Sequence, residues 1–427
     1  MEQLENQIKD LSIKYTLDTN KDYLKKYGQF FTISKEILCK LLNHLVQNGI
    51  ENNSRCIDID IDINIDILEP SVGTGTIILE CMKYFKYFSL DAIEIDKKIY
   101  DKTKNLFDIH DNKNINILNK DFLKYEFEKK YDFIIGNPPY FEISKETRLL
   151  PEITKNFKEI LNGRTNIYSL FIYKSIKLLK TNGQLIFIIP KTILSGKYFS
   201  KLRVFIHQHC NIIDIIKFDN NKLFKNALQS IIILKLELRD KIESNNKFIV
   251  KINNEIYFVK NCENLYLDIP TTSISKLNCI VKTGNIVWNK HKELLLDIKT
   301  NLTLQLIKSS NIKNGKLILS NQTNNYKKQY MIINDANKHL IINGPYILIN
   351  RIVGLDPPKL HIYFEKESTS QSKCFVENHV NFIKGSIENL TKIYNSLNDP
   401  KTIEFIKELI GNTQLSQNEL ENIIPIF

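Results

Sequence analysis

Short apolar segments alternate with amphipathic segments between residues 65 and 238. Apolar runs of strand length and apolar positions at helical spacing follow one another, which predicts alternating β-strands and α-helices. The predicted strands are Asp66–Glu69, Leu90–Ile95, Ile115–Leu118, Tyr131–Gly136, Gln184–Ile189, Ile212–Phe218 and Ser230–Glu237. The predicted helices are Thr76–Tyr87, Lys97–Phe107, Ile167–Leu179 and Val204–His209, and Asn182-Gly183 predicts a turn. Such apolar strands indicate a largely parallel, doubly wound α/β sheet with helices on both faces.

The pattern changes on both sides of this region. Residues 1–26 predict a charged helical segment, and residues 34–48 carry apolar positions at helical spacing. Isoleucine alternates with aspartate, and once with Asn64, over residues 57–66, which we interpret as an extension of the first strand or a loop before it. Residues 241–427 are rich in Asn and Lys and lack the regular alternation, so they predict a second, mixed α+β domain. Its tail, about residues 386–410, is predicted to be helical.

The composition excludes some classes of protein but does not identify the function. The 427 residues are 43% hydrophobic and 25% charged, which is typical of a globular chain with two or three domains. No apolar run approaches the ~18–20 residues that cross a bilayer, and the N-terminus lacks a signal-peptide pattern. The net charge of +11 favours a polyanionic partner. However, only six basic residues are Arg, and the abundance of Lys, Asn and Ile is also typical of an AT-rich genome.

The cysteines and histidines predict no metal site. The seven cysteines are scattered and are never spaced as CxxC, and the eight histidines form no ligand cluster. This pattern indicates buried thiols in a reducing, cytoplasmic environment, without a disulfide framework or a zinc site. We therefore expect no metal. The absence of a long apolar run leads us to expect no membrane association.

The segment Asp132–Tyr140 carries the strongest candidate chemistry. Its sequence, DFIIGNPPY, places Asn137 directly after a buried strand, at the carboxyl edge of the sheet. Pro138 and Pro139 stiffen the loop and remove two backbone donors. The side-chain oxygen of Asn137 and the carbonyl of Pro138 are then suited to accept hydrogen bonds from an amino group. Tyr140 offers a flat face on which a planar substrate can stack.

Carboxylates, glycines and an aromatic ring lie at or just after the carboxyl ends of the first three predicted strands. These residues are Glu69, Gly73, Gly75, Glu94, Asp121 and Phe122. The two glycines allow a backbone turn to approach a ligand closely. An acid at the end of the second strand accepts hydrogen bonds from ribose hydroxyls. The carboxylate and the ring after the third strand suit an adenine amino group and the face of its ring.

In this order and spacing, the series resembles the gamma-class N6-adenine DNA methyltransferases, the TaqI-like enzymes of type II restriction–modification systems. Tyr27–Thr32, YGQFFT, is similar to the family's GxFxTP motif, with Ile33 in place of the proline. The resemblance is close over residues 27–238. It is looser in the C-terminal half, where it rests on Val281–Asn289, Tyr346–Arg351 and Gly411–Ser416.

The resemblance implies a Rossmann-like methyltransferase domain over residues 1–240 and a DNA-binding target-recognition domain over residues 241–427. It implies that S-adenosylmethionine is held by Thr32, Glu69, Gly73, Gly75, Glu94, Asp121 and Phe122. Asn137–Tyr140 is the implied catalytic motif. Phe224 either stacks on a flipped-out adenine opposite the tyrosine or is a core residue at the start of a strand. Arg351 is the only Arg after residue 239, and it is a candidate DNA contact or a member of an internal ion pair.

The implied function is N6-adenine methylation of double-stranded DNA by a monomer that protects DNA from a separate, cognate endonuclease. Two alternatives use the same Asn-Pro-Pro-Tyr motif, namely RNA adenine methylation and glutamine methylation of translation release factors. The intact motif argues against a binding module without activity. Only 26 residues precede the first motif, so no N-terminal nuclease is expected.

Overall fold

A computed structural model describes residues 1–18, 37, 40–41, 65–110, 112–218, 231–240, 246–262, 265, 271–318, 328–350, 359–409 and 415–427. The predicted site residues Thr32, Phe224 and Arg351 lie outside these ranges, and so do residues 57–64 of the Ile-Asp repeat. The chain divides into two compact units. The first contains residues 1–250 and 256–260, and the second contains residues 251–255 and 261–427.

A seven-stranded sheet forms the centre of the first unit. Its strands are β1 (Ile65–Glu69), β2 (Phe88–Glu94), β3 (Ile115–Asn119), β4 (Tyr131–Gly136), β5 (Leu179–Pro190), β6 (Cys210–Lys217) and β7 (Ile231–Leu238). The order across the sheet is β3-β2-β1-β4-β5-β7-β6. Strand β7 is antiparallel to both of its neighbours, and the other pairs are parallel. The prediction of a largely parallel sheet is confirmed.

One predicted turn is wrong. Asn182-Gly183 lies inside β5, which begins at Leu179 instead of Gln184. Asn182 adopts a left-handed conformation with φ 64°, and the pairing of β4 with β5 shifts register at this level. An Asn in this conformation forms a bulge that lets the strand continue, where the sequence alone indicates a turn between a helix and a strand.

Helices cover both faces of the sheet, as predicted. They are α1 (Glu2–Asp18), α2 (Thr76–Tyr84), α3 (Lys97–Ile109), α4 (Lys145–Arg148), α5 (Pro151–Phe157), α6 (Ile167–Leu178) and α7 (Ser200–His209). Along β5, Leu185 and Phe187 belong to one apolar core, and Ile186 and Ile188 belong to another. The first core includes residues of α5, α6 and α7, and the second includes residues of α1, α2 and α3. The alternation of side chains along a strand places these cores on opposite faces.

The second unit is mixed α+β, as predicted. Strands β8 (Ile249–Ile252) and β9 (Glu255–Phe258) contain residues of both units. The strands of the second unit alone are β10 (Ile280–Thr283), β11 (Leu295–Leu296), β12 (Thr303–Ile307), β13 (Ile312–Lys313), β14 (Lys316–Leu317), β15 (Tyr330–Ile332), β16 (Tyr346–Asn350), β17 (Ile362–Glu365), β18 (Cys374–Val376) and β19 (Val380–Lys384). Two four-stranded sheets have the orders β10-β19-β16-β17 and β11-β15-β12-β18. The predicted helical tail consists of α8 (Ile387–Leu397) and α9 (Pro400–Leu409). Pro400 has no backbone N–H, so it starts a new helix.

Two further features bear on function. Among the described residues, no helix combines the length and the apolar character that a membrane crossing requires. The same part of the chain holds no cluster of three or more His, Cys, Asp or Glu residues that could bind a metal ion.

Candidate functional site

The carboxyl ends of β1, β2, β3 and β4 surround a cavity of about 550 Å³. The cavity lies where the strand order reverses between β1 and β4, which is the position where open α/β sheets bind ligands. Its lining contains the predicted site residues Glu69, Gly73, Glu94, Asp121, Phe122, Asn137 and Pro139. Gly75, Pro138 and Tyr140 belong to the adjoining turns and do not line it.

The turn after β1 passes close to α3. Gly75 directly precedes α2 as its N-cap residue and has φ 83°, and a β-carbon at this position would lie 2.5 Å from the Phe107 ring. The N–H of Gly73 donates to Oε2 of Glu94 at 2.9 Å. The hydroxyl of Thr103 donates to the carbonyl of Gly73 at 2.7 Å. Residues of β2 and α3 therefore fix the backbone of this turn at the cavity wall.

Glu94 connects this turn to the start of α3. Its carboxylate accepts the N–H of Gly73 and, at 2.8 Å, the N–H of Asp96. Burial raises the pKa of Glu94 to about 7, although these two hydrogen bonds oppose the shift. Each oxygen of an ionised carboxylate can accept a second hydrogen bond. Glu94 is therefore able to hold ligand hydroxyls as well as the two backbone amides.

Glu69 is the second carboxyl group in the cavity wall, and only 1% of its surface is exposed. Its Oε2 atom has no hydrogen-bond partner among the described residues. Burial raises the pKa of Glu69 well above its usual range, and the nearby Glu94 carboxylate acts in the same direction. An unpartnered, buried carboxyl oxygen at a cavity is suited to a cationic ligand, which would compensate its burial.

Two side chains of α1 contact turns at the cavity. The Ser12 hydroxyl lies 2.7 Å from the hydroxyl of Thr74, and the Tyr15 hydroxyl donates to Oδ2 of Asp96 at 2.5 Å. Asp96 also caps α3, because its Oδ1 accepts the N–H of Lys98 at 3.0 Å. Sequence reasoning missed all of these contacts. An Asp directly before a predicted helix is a recognisable capping signal, whereas the contacts of α1 span more than sixty residues.

Another part of the cavity wall is apolar and aromatic. It contains Phe122, Phe141, Ile153, Phe157, Leu170 and Phe171. The Phe122 ring packs against Phe171, with centroids 4.8 Å apart, and the Lys174 amino group lies 5.3 Å from the Phe122 centroid. Lys174 also donates to the carbonyls of Leu123 and Tyr125 at 3.1 and 2.6 Å. Lys174 therefore fixes the loop that carries Phe122. The contributions of α5 and Lys174 were not anticipated from the sequence.

The Asn137–Tyr140 turn follows β4 directly. Asn137 lines the cavity, and the Tyr140 hydroxyl contacts Oδ1 of Asn137. The same hydroxyl lies 2.6 Å from the carbonyl oxygen of Ile188 in β5. The Tyr140 ring packs edge-on against Tyr168, with centroids 6.2 Å apart. Because a phenol carries one hydrogen, it donates to one of these two oxygens at a time. The turn thus holds its tyrosine beside the asparagine amide.

Residues 23–224 match the profile of the Eco57I restriction-modification methylase family. This segment, a little under half of the chain, is similar to that family. The match includes the glycine turn, both buried carboxyl groups and the Asn137–Tyr140 turn. The predicted resemblance to restriction–modification methyltransferases is confirmed.

Alignments with individual relatives cover different shares of this chain and of the relatives. Modification methylase CviBIII of Paramecium bursaria Chlorella virus NC1A is 29% identical over 369 residues, or 84% of this chain and 86% of that protein. Type II methyltransferase M.AccI of Acinetobacter calcoaceticus is 31% identical over 239 residues. That alignment covers 54% of this chain, which spans only 41% of M.AccI. The type IIG restriction endonuclease BpuSI aligns over 85% of this chain and 55% of that one, with 11% identity and a TM-score of 0.40.

Proposed function

We propose that the chain is a site-specific methyltransferase that modifies the N6 atom of adenine in double-stranded DNA, with S-adenosylmethionine as methyl donor. The observation that carries this proposal is the Asn137–Tyr140 turn at the edge of a cavity with two buried carboxyl groups. The match of residues 23–224 to the Eco57I restriction-modification methylase family supports methyl transfer as the reaction. The relatives named type II methyltransferase and modification methylase support a role in restriction–modification.

The residues in the cavity wall fit S-adenosylmethionine. The unpartnered oxygen of Glu69 suits the ammonium group of its methionine part, and Glu94 suits the ribose hydroxyls. Phe122 and its aromatic neighbours suit the face of the adenine ring, and Asp121 suits the amino group of that adenine. When bound, S-adenosylmethionine supplies a methyl group on a sulfonium and is left as S-adenosylhomocysteine.

The chain itself orients the adenine that is methylated. Asn137 and the Pro138 carbonyl accept hydrogen bonds from the amino group, which localises a lone pair that is otherwise delocalised into the ring. Alignment of this nitrogen for in-line attack supplies much of the rate. The nitrogen loses its proton readily once it is alkylated, so no strong general base is required. Tyr140 and Phe224 stack on the flipped-out base. This stacking offsets ~1–3 kcal/mol of the free energy that unstacking the base costs.

We further propose that the second unit contacts DNA. Its lysines suit phosphates, and a few side chains, with Arg351 as a candidate, read base edges. In this proposal the protein acts as a monomer, and any cognate endonuclease is a separate chain.

A label-transfer experiment tests the proposed substrate. Purified protein with tritiated S-adenosylmethionine is offered unmethylated duplex DNA, total RNA or translation release factors in separate reactions. Label is expected in DNA alone. Label in RNA or in a release factor but not in DNA would retain the chemistry and overturn the substrate. Absence of transfer to all three would contradict the proposed activity.

Binding of S-adenosylmethionine is expected to weaken as the pH falls below 7. Ribose hydroxyls donate to the ionised form of Glu94, whose pKa is raised to about 7 by burial. The ionised fraction of such a group falls about tenfold between pH 8 and pH 6, so the Kd from calorimetry should rise by a similar factor. Glu94→Gln should bind more weakly and lose the part of this pH dependence that titrates near pH 7, while Glu69→Gln should keep that part. The same pH profile in Glu94→Gln and in the wild type would contradict the assignment.

A further inference from the structure

The turn after β1 and the turn after β4 are in direct contact. The hydroxyl of Ser71 donates to the backbone carbonyl of Asn137 at 3.1 Å. One residue earlier, a β-carbon on Gly136 would lie 3.2 Å from the side chain of Pro70 and 3.2 Å from the Phe187 ring. Glycine at this position therefore permits the close approach. The two turns meet at two consecutive pairs of residues.

The hydrogen bond from Ser71 acts on the peptide group that joins Asn137 to Pro138. Proline has no N–H, so the Asn137 carbonyl is the only hydrogen-bonding group of this peptide. The peptide is planar, and fixing its carbonyl therefore fixes the orientation of the whole group. That orientation sets the directions in which the Asn137 side chain and the Pro138 carbonyl point. Both are the acceptors in the proposed reaction.

Ser71 also belongs to the turn that contacts the cofactor cavity. It lines the cavity two residues before Gly73, whose N–H is held by Glu94. A ligand that orders this turn therefore also orders the hydroxyl that holds Asn137.

We propose that Ser71 is a positioning residue for Asn137 and couples occupancy of the cofactor cavity to the orientation of the catalytic turn. This inference rests on the proposed function. The proposed coupling depends on the hydrogen bond from Ser71 to Asn137, so removal of the Ser71 hydroxyl tests it.

Ser71→Ala is expected to lower kcat on unmethylated DNA about three- to tenfold, the factor expected for one neutral hydrogen bond. The KM for S-adenosylmethionine should stay within about twofold, because the hydroxyl acts on Asn137. Ser71→Thr keeps a hydroxyl and should recover most of the activity. Ser175→Ala makes the same change at a fully buried serine of α6 whose hydroxyl has no partner among the described residues, and it should retain the wild-type kcat. A wild-type kcat in Ser71→Ala would overturn the proposal.

Hydrogen exchange tests the coupling without a methyl acceptor. In the wild type, S-adenosylmethionine should slow exchange of the amides in a peptide that spans Gly136–Glu142. The slowing should be reduced in Ser71→Ala and kept in Ser71→Thr. Equal slowing in the wild type and Ser71→Ala would overturn the coupling, and so would no slowing in the wild type. If the wild type shows the slowing but methylates no DNA, the proposed substrate is wrong and the coupling stands.

Discussion

Asn137→Ala is expected to lower the rate of methyl transfer by about 10²–10³-fold or more, since in the proposed mechanism it removes a preorganised acceptor for the amino group that reacts. The affinity for S-adenosylmethionine should stay within about twofold, because the change removes an interaction with the other substrate. Glu69 and Glu94, which suit the cofactor, come from β1 and β2, whereas Asn137 follows β4. Single-turnover rates at saturating DNA and calorimetric Kd values measure the two effects separately.

A matched change on the sheet edge controls for loss of folded protein. Asn116→Ala alters an exposed residue of β3 whose side chain donates to Oδ1 of Asp91 at 3.0 Å. It should leave both the rate and the cofactor affinity unchanged. A wild-type rate in Asn137→Ala would contradict the proposed role, and so would a combined loss of rate and cofactor binding.

Gly75→Ala is expected to reduce the free energy of unfolding by ~2–5 kcal/mol, as the sum of left-handed backbone strain and overpacking. The new β-carbon would lie 2.5 Å from the Phe107 ring, and that side chain is only 2% exposed, so it cannot move aside freely. The shifted turn should also weaken S-adenosylmethionine binding by about tenfold or more, which is ~1.4 kcal/mol. Chemical denaturation and calorimetry measure these effects.

Gly315→Ala separates backbone strain from the steric collision. Gly315 has φ 75°, similar to Gly75, but among the described residues a β-carbon there would approach only the Tyr394 hydroxyl, at 3.6 Å. We expect a loss of ~1–2 kcal/mol in stability and no change in cofactor affinity. Equal losses in both variants would show that the contact with Phe107 is unimportant.

The central sheet was predictable because its strands are buried on both faces. Leu185–Ile189 and Ile231–Leu236 therefore read as nearly continuous apolar runs, which are typical of this architecture. The left-handed Asn182 was not predictable, because Asn-Gly is compatible with both a hairpin turn and a bulge. In the second unit many strands have only two to five residues, too few for periodicity to locate them.

The candidate site was predictable only in part. The carboxyl ends of parallel strands meet at one edge, so Glu69, Glu94 and Asn137 could be assigned to one cavity from their positions after strands. The contacts that hold these residues join distant parts of the chain. Ser71 is hydrogen-bonded to Asn137, 66 residues away in the sequence, and Tyr15 is hydrogen-bonded to Asp96, 81 residues away. No local pattern in the sequence encodes such pairs.

Adenine methylation by this chain is tested most directly by expressing it in a bacterial host that lacks adenine methylation and sequencing the host DNA for modified bases. We expect N6-methyladenine at one short recurring sequence, and none in cells that express Asn137→Ala. Unmodified DNA despite folded protein, or methylation of cytosine in place of adenine, would contradict this expectation.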